Sequence, residues 1–191
     1  MEVSKLISNE NSVFFIAGVY GVGKSSLCES LSVTLNIQCY SASDLISARS
    51  GEFYGTNKVV RNAEFNQNIL LDSVANIMLV HKSILLTGHF CIFNKLMEVE
   101  LLPEFVFETL PLRKIVLLEA DDSIVLTHLK NRDNKQYLLE QISHLRESEK
   151  EQALKVANKF SVPLLVHKMV YSNDDMESVK DFISGNGGKI K

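Results

Sequence analysis

Residues 13–35 read VFFIAGVYGVGKSSLCESLSVTL: a short apolar run, a cluster of glycines and a helical pattern in direct succession. The apolar run, Val13 to Ala17, has the length of a strand, and apolar residues recur at helical spacing from Lys24 to Leu35. Between them, residues 18–25 (GVYGVGKS) satisfy the pattern G-x-x-x-x-G-K-[ST]. A glycine-rich turn leading from a strand into a helix predicts a site at which backbone N–H groups bind phosphate.

Each residue type in this loop suits the binding of a nucleoside triphosphate. Glycines let successive N–H groups turn toward an anion, and the helix N-terminus adds partial positive charge. Lys24 is expected to reach the β- and γ-phosphate oxygens, and the Ser25 hydroxyl to coordinate Mg²⁺. The predicted nucleotide-binding residues are Gly18, Val19, Tyr20, Gly21, Val22, Gly23, Lys24, Ser25 and Ser26. A glycine-rich turn with no ligand, or a loop that binds nucleotide without turnover, are the alternatives.

Four further apolar runs of strand length follow, at residues 37–40, 83–87, 114–119 and 163–167. Their continuous rather than alternating apolarity is typical of strands buried on both faces of a parallel sheet. Helical patterns at 24–35, 59–80 and 121–132 separate them. Strand and helix in alternation predict an α/β sandwich of three layers around a mostly parallel sheet of about five strands.

Length and composition allow one globular domain over residues 1–191. The chain is 46% hydrophobic and 23% charged, and its 20 basic and 23 acidic residues sum to a net charge of −3, so no global positive field favours nucleic acid or an anionic membrane. No stretch approaches the ~20 apolar residues of a membrane helix, and the polar start lacks a signal peptide, which predicts a cytoplasmic protein. Residues 185–191 are expected to form a flexible tail.

A polar segment and the three cysteines lead to two further predictions. Residues 131–151 are unusually polar, which predicts a helical lid that projects from the body, or else only a solvated helix face. Cys28, Cys39 and Cys91 form neither a C-x-x-C motif nor a metal-ligand pattern, so reduced, buried thiols are expected.

Residues 12–167 together resemble the P-loop small-molecule kinases, nearest to adenylate-kinase-like proteins. The first match is the glycine-rich loop itself. The resemblance implies a P-loop NTPase sandwich, ATP as the nucleotide, Mg²⁺, and a small acceptor. The sequence contains no N/T-K-x-D signature of guanine binding.

A second match is SASDLI at residues 41–46, which is similar to the family's acceptor-binding G-D-L-[LI] segment. Asp44 lies 20 positions after Lys24, so the resemblance implies that Asp44 orients or deprotonates the acceptor. The alternative is an acidic cap that starts a helix at Leu45. Adenylate kinases usually carry an arginine three residues after this aspartate, where this chain has Ser47, and that departure disfavours an AMP-type acceptor.

A third match is ILLTGHF at residues 84–90, which resembles the strand that ends in an acidic residue near the metal. Thr87 stands in place of that acid, so Mg²⁺ would be held more weakly and turnover could be slow. His89 is a candidate contact for the acceptor or the phosphate. The alternative is a histidine at a strand end whose hydrogen bonds are satisfied within the protein.

The fourth match is LTHLKNRD at residues 126–133, which resembles the R-x-x-x-R-D entry to the lid, with His128 in place of the first arginine. Arg132 is the first candidate to stabilise the transferring phosphoryl group, the alternative being a cation at a helix C-terminus. Arg146 is the second candidate, the alternative being a surface pair with Glu149.

Three aromatic residues and one more arginine complete the candidates. The helix beginning near residue 58 resembles the segment that brings acceptor contacts across the cleft, which makes Arg61 a candidate ahead of Gln67; a solvated helix start is the alternative. Tyr20, Phe53 and Tyr54 are expected to stack on a base or to serve in packing.

The leading hypothesis is an ATP- and Mg²⁺-dependent phosphotransferase that moves the γ-phosphoryl group to a small nucleoside, nucleotide or related acceptor. Lys24, Asp44 and Arg132 are its predicted catalytic residues, and Asp44, Arg61 and His89 are the candidates for contact with the acceptor. Two alternatives stay open. One is an ATP-binding switch or accessory protein with little turnover and a protein partner, and the other is a polynucleotide 5′-hydroxyl kinase.

Overall fold

The computed structural model describes residues 10–50, 63–132 and 136–185. Within them, a sheet of five parallel strands has the order β2-β3-β1-β6-β7, and a separate pair, β4 and β5, is antiparallel. The strands are β1 (Ser12–Gly18), β2 (Gln38–Ser41), β3 (Ser83–Gly88), β4 (Cys91–Phe93), β5 (Val99–Leu101), β6 (Leu112–Glu119) and β7 (Leu164–Lys168). The helices are α1 (Lys24–Leu35), α2 (Ala42–Ser50), α3 (Ala63–Met78), α4 (Glu104–Thr109), α5 (Asp122–Arg132), α6 (Leu139–Phe160) and α7 (Asn173–Ser184).

All five predicted strands of the main sheet are confirmed. The three central strands β3, β1 and β6 are almost wholly buried, which explains their continuous apolar sequences. The edge strands β2 and β7 are half-buried and correspondingly more polar. Helices flank the sheet: α1 packs on β1 and β3 and against α7, whereas α6 packs on β1, β6 and β7. The fold is therefore the predicted α/β sandwich.

The segment between β3 and β6, for which the sequence predicts no strand or helix, contains regular structure. It forms the β4–β5 hairpin and the short helix α4, none of which was predicted. Their apolar runs are only a few residues long, too short for a periodicity to be read.

The polar region predicted as a lid is mostly the first half of a packed helix. Residues 139–151 belong to α6, in which Ile142, Leu145 and Glu149 are buried. This part of the chain therefore lies against the body and does not project from it. Of the other predicted lid residues, 131–132 end α5 and 136–138 precede α6, whereas 133–135 lie outside the described residues.

The prediction of reduced thiols is wrong for Cys28 and Cys39, which form a disulfide between α1 and β2. The helix runs back along the sheet, so two cysteines 11 positions apart meet. Cys91 is a free, buried thiol as expected, and its burial raises the pKa of that thiol. In the part of the chain that the structure describes, no helix has the length and apolarity needed to cross a membrane.

Candidate active site

A cleft of about 640 Å³ opens where the carboxyl ends of β1, β2 and β3 meet the glycine-rich loop and α1. In a parallel sheet, ligands bind in such a crevice outside the carboxyl ends of the strands. The described loop residues that line it are Tyr20, Gly21, Gly23, Lys24, Ser25 and Ser26. Most of the loop residues predicted to bind nucleotide thus lie at one cleft.

Two glycines explain why the loop has this shape. Gly18 has φ +145°, and a Cβ there would lie 2.6 Å from the carbonyl oxygen of Leu118 on β6. Gly23 is the N-cap of α1 with φ +102°, so the backbone takes a left-handed conformation that other residues rarely adopt. Gly23 also has no side chain with which to cap α1, and the first turn of α1 contains no acidic residue, so the helix N-terminus faces the cleft without a negative charge of its own.

Lys24 is folded back onto the loop. Its Nζ donates hydrogen bonds to the carbonyl oxygens of Gly18 (2.6 Å) and Val19 (2.9 Å). The ammonium group is half-buried at the floor of the cleft, beside exposed Ser25 and Ser26. A triphosphate entering the cleft would meet this cation and the helix N-terminus together.

A carboxylate that the sequence analysis did not propose for the site lies directly behind the loop. Glu149 on α6 is 1% exposed. Its Oε1 accepts hydrogen bonds from the N–H groups of Gly18 (3.2 Å) and Phe90 (3.0 Å), and its Oε2 accepts from Phe90 (2.9 Å) and Cys91 (2.7 Å). Glu149 therefore ties the start of the loop to the turn that follows β3.

Burial and hydrogen bonding shift the pKa of Glu149 in opposite directions. Burial raises the pKa of Glu149 to about 7, while the N–H groups and the positive charge of Lys24 oppose the rise. The sequence did contain a signal: Glu149 falls on the buried stripe of α6, at three- and four-residue steps from Leu145, Gln152 and Ala153. An acid on an apolar stripe indicates a buried partner.

The helix α5 fastens the loop from the other side. His128, which occupies the position of an arginine in the resembling family, places Nδ1 2.9 Å from the carbonyl oxygen of Gly21. His128 and Arg132, one helical turn apart, both line the cleft, and Arg132 is exposed at the end of α5. Arg146 pairs with Asp122 through Nε and Oδ1 at 2.6 Å and does not line the cleft. The alternative pairing of Arg146 with Glu149 is wrong, because Glu149 points inward.

At the end of β3, Thr87 and His89 both line the cleft. Thr87 is buried, and its Oγ1 donates a 3.4 Å hydrogen bond to the carbonyl oxygen of Tyr40. The ring of His89 lies 4.4 Å from that of Tyr20. Tyr20 is itself buried and also near Phe93, so its ring serves in packing.

The structure does not bring Asp44 to the cleft. Ser41, Ala42, Ser43 and Ile46 line it, whereas Asp44 is exposed in the first turn of α2. Helical phase explains this result, because neighbouring positions on one turn face different directions. The other predicted acceptor contact, Arg61, and the aromatic residues Phe53 and Tyr54 lie outside the described residues.

No group of three or more His, Cys, Asp or Glu side chains suited to a metal occurs within residues 10–50, 63–132 and 136–185. The Ser25 hydroxyl lies next to Lys24 and lines the cleft, as do the hydroxyl groups of Ser26 and Thr87. Magnesium held mainly by phosphate oxygens and water needs few protein ligands.

Solved structures similar to this chain include small-molecule kinases. Shikimate kinase from Acinetobacter baumannii in complex with shikimate is similar with a TM-score of 0.65 and 14% identity, covering 98% of this chain and 99% of that chain. Shikimate kinase from Aquifex aeolicus is similar with a TM-score of 0.56 and 17% identity, over 93% and 99% of the two chains. A gluconokinase from Sinorhizobium meliloti is similar with a TM-score of 0.51 and 12% identity, over 94% and 100%. At these identities the likeness establishes the fold, which is that of a P-loop kinase.

A family model described as an AAA domain matches residues 17–146. The match covers more than half of the chain and runs from the end of β1 into α6. The chain therefore belongs to this AAA domain family. No curated protein sequence matches the chain.

Proposed function

We propose that this protein is a Mg²⁺-dependent kinase that transfers the γ-phosphoryl group of ATP to a small acceptor bound in the same cleft. The observation that carries the proposal is the placement of Lys24, the N-terminus of α1 and Arg132 around one cleft that continues past the end of β3. Catalysis of phosphoryl transfer consists mainly of positioning and charge stabilisation, which these groups can supply.

The roles follow from the geometry. Lys24 leaves the carbonyl oxygens of Gly18 and Val19 to bind β- and γ-phosphate oxygens, and Ser25 coordinates Mg²⁺. Arg132, on the wall formed by α5, neutralises charge on the transferring group. Asp44 has no part in the proposal, because its carboxylate is exposed outside the cleft lining.

The test is transfer of label from γ-labelled ATP and Mg²⁺ to a panel of nucleosides, nucleoside monophosphates, sugar acids and 5′-hydroxyl oligonucleotides. We expect one small acceptor to become labelled, with a loss of at least 100-fold in Lys24→Ala and in Arg132→Ala. Lys130→Ala, an exposed cation on the same helix outside the cleft lining, is the matched control and should transfer label normally. Transfer that survives Lys24→Ala would rule out the proposal.

One observation favours a second function, an ATP-dependent switch. Thr87 occupies the end of β3 where related kinases place an acid, and Asp175 is the carboxylate among the described lining residues. Asp175 is already engaged, because its Oδ1 lies 2.7 Å from Nε2 of His167 and accepts from Val170 N–H at 3.0 Å. A switch would bind ATP with Mg²⁺, transfer no label to any acceptor, and change its affinity for a protein partner.

The proposal places the protein in the cytoplasm, where ATP is available. Fractionation of cells that express the chain tests this placement: recovery with the cytoplasmic proteins is expected, and recovery in another compartment would contradict it.

A further inference from the structure

Part of the cleft has apolar walls. We call it the acceptor compartment, and its residues come from β1, α3, β4, α4 and the segment before α4. All are buried: Phe15, Leu70, Ile92, Leu102, Val106 and Phe107. The rings of Phe15 and Phe107 lie 6.0 Å apart at 65° and are each 2% exposed, so they pack on each other and close the apolar back of this compartment.

One polar group of the cleft has no hydrogen-bond partner among the residues that the structure describes. Gln67 on α3 lines the cleft and is 5% exposed. Its Oε1 is buried and accepts no hydrogen bond from any residue that the structure describes. An unsatisfied buried acceptor is costly, and few occur in folded proteins, so this oxygen points to a donor on a bound molecule.

The ionised side chains that line the cleft belong to other elements than those that form the apolar walls. Among the described lining residues, Lys24, Arg132 and Asp175 carry charge, and they belong to the loop, to α5 and to the start of α7. Among the residues that the structure describes, none in the acceptor compartment is a cation that could pair with a buried anion. Burying an unpaired carboxylate or phosphate there would be strongly unfavourable.

We propose that the acceptor is an uncharged molecule with a flat apolar ring that bears an N–H donor, the chemistry of a neutral nucleoside. Its ring lies against the apolar walls of this compartment, its N–H donates to Oε1 of Gln67, and its hydroxyl faces the loop. This inference rests on the proposed kinase function. In the transfer, the acceptor oxygen bonds to the γ-phosphorus and the bond to the β–γ bridging oxygen breaks. ADP leaves with that electron pair, and the hydroxyl proton passes to solvent.

The experiment is calorimetric titration of the protein with adenosine, guanosine, cytidine and uridine, and with the anions AMP, shikimate and gluconate. Gln67→Met keeps the volume of the side chain but removes its acceptor. Asn68→Leu is the matched control, because Asn68 is exposed on the same helix and does not line the cleft. ATP affinity and melting temperature are measured for every variant.

We expect a neutral nucleoside to bind, and Gln67→Met to weaken that binding at least tenfold. ATP affinity should stay within twofold, and the melting temperature should be unchanged or higher because the unsatisfied oxygen is gone. Asn68→Leu should alter none of these affinities. Preferential binding of AMP, shikimate or gluconate, no binding of any nucleoside, or an unchanged affinity in Gln67→Met would each overturn the inference.

The label-transfer assay separates this inference from the proposed function. Labelling of a sugar acid would support the proposed kinase function and contradict the inference of a neutral acceptor. A nucleoside that binds through Gln67 but receives no label would leave the acceptor chemistry standing and contradict the kinase.

Discussion

Glu149 combines complete burial with hydrogen bonds to two segments of the site, and stability should depend on its protonation. Its pKa is raised to about 7 by burial, from 4.5. The folded protein thus binds a proton that an unfolded chain has released, so the free energy of unfolding falls as pH rises from about 4.5 to about 7. Denaturant titrations at pH 5 and pH 8 measure this fall.

Glu149→Gln is the control for that prediction. The amide cannot titrate, so the fall between pH 5 and pH 8 should be smaller than in the wild type. Its NH₂ group would also face backbone N–H donors, so the variant should be less stable at both pH values. An equal fall in both proteins would show that another group is responsible.

At Gly88, packing leaves no room for a side chain. A Cβ there would lie 2.6 Å from Cε2 of Phe15, whose ring is held by Phe90 at a centroid distance of 5.3 Å. Gly88→Ala should therefore lower the free energy of unfolding by about 1–3 kcal/mol. In a double-mutant cycle, Phe15→Leu should recover part of this loss, and strict additivity of the two changes would contradict the account.

At the scale of elements, the disulfide between α1 and β2 should stabilise the fold. It closes a loop between cysteines 11 positions apart, which corresponds to about 3 kcal/mol of chain entropy. Reduction by dithiothreitol should lower the melting temperature of the wild type and leave that of Cys28→Ala/Cys39→Ala unchanged. A wild-type melting temperature insensitive to reductant would contradict the prediction.

An element could be predicted where residues near to each other in the sequence determine its structure, and not where distant residues do. The strands β1, β3 and β6 were readable because burial on both faces demands continuous apolar sequence. The packing of α6 could not be predicted, because most of its residues are polar and only a narrow stripe of them is buried. Asp44 resembled a family aspartate in spacing, yet the phase of α2 directs it outward. The contacts of Glu149 with Gly18 and Phe90 join residues 131 and 59 positions apart, which no local pattern encodes.

At the scale of the whole molecule, nucleotide binding should couple the loop to overall stability. A ligand that binds only the folded state stabilises it by about 2.7 kcal/mol at 100 times its Kd. ATP with Mg²⁺ should therefore raise the melting temperature of the wild type. Lys24→Ala should show little of this rise, because the cation at the floor of the cleft is lost. An equal rise in both would place ATP elsewhere on the protein.

The proposed kinase activity is tested by the rate of γ-phosphoryl transfer from labelled ATP to the acceptor, measured with and without Mg²⁺ in the wild type and in Lys24→Ala. We expect transfer that requires Mg²⁺ and the acceptor and that falls at least 100-fold in Lys24→Ala. Tight binding of ATP with no label in any acceptor, or transfer unaffected by the loss of Lys24, would contradict it.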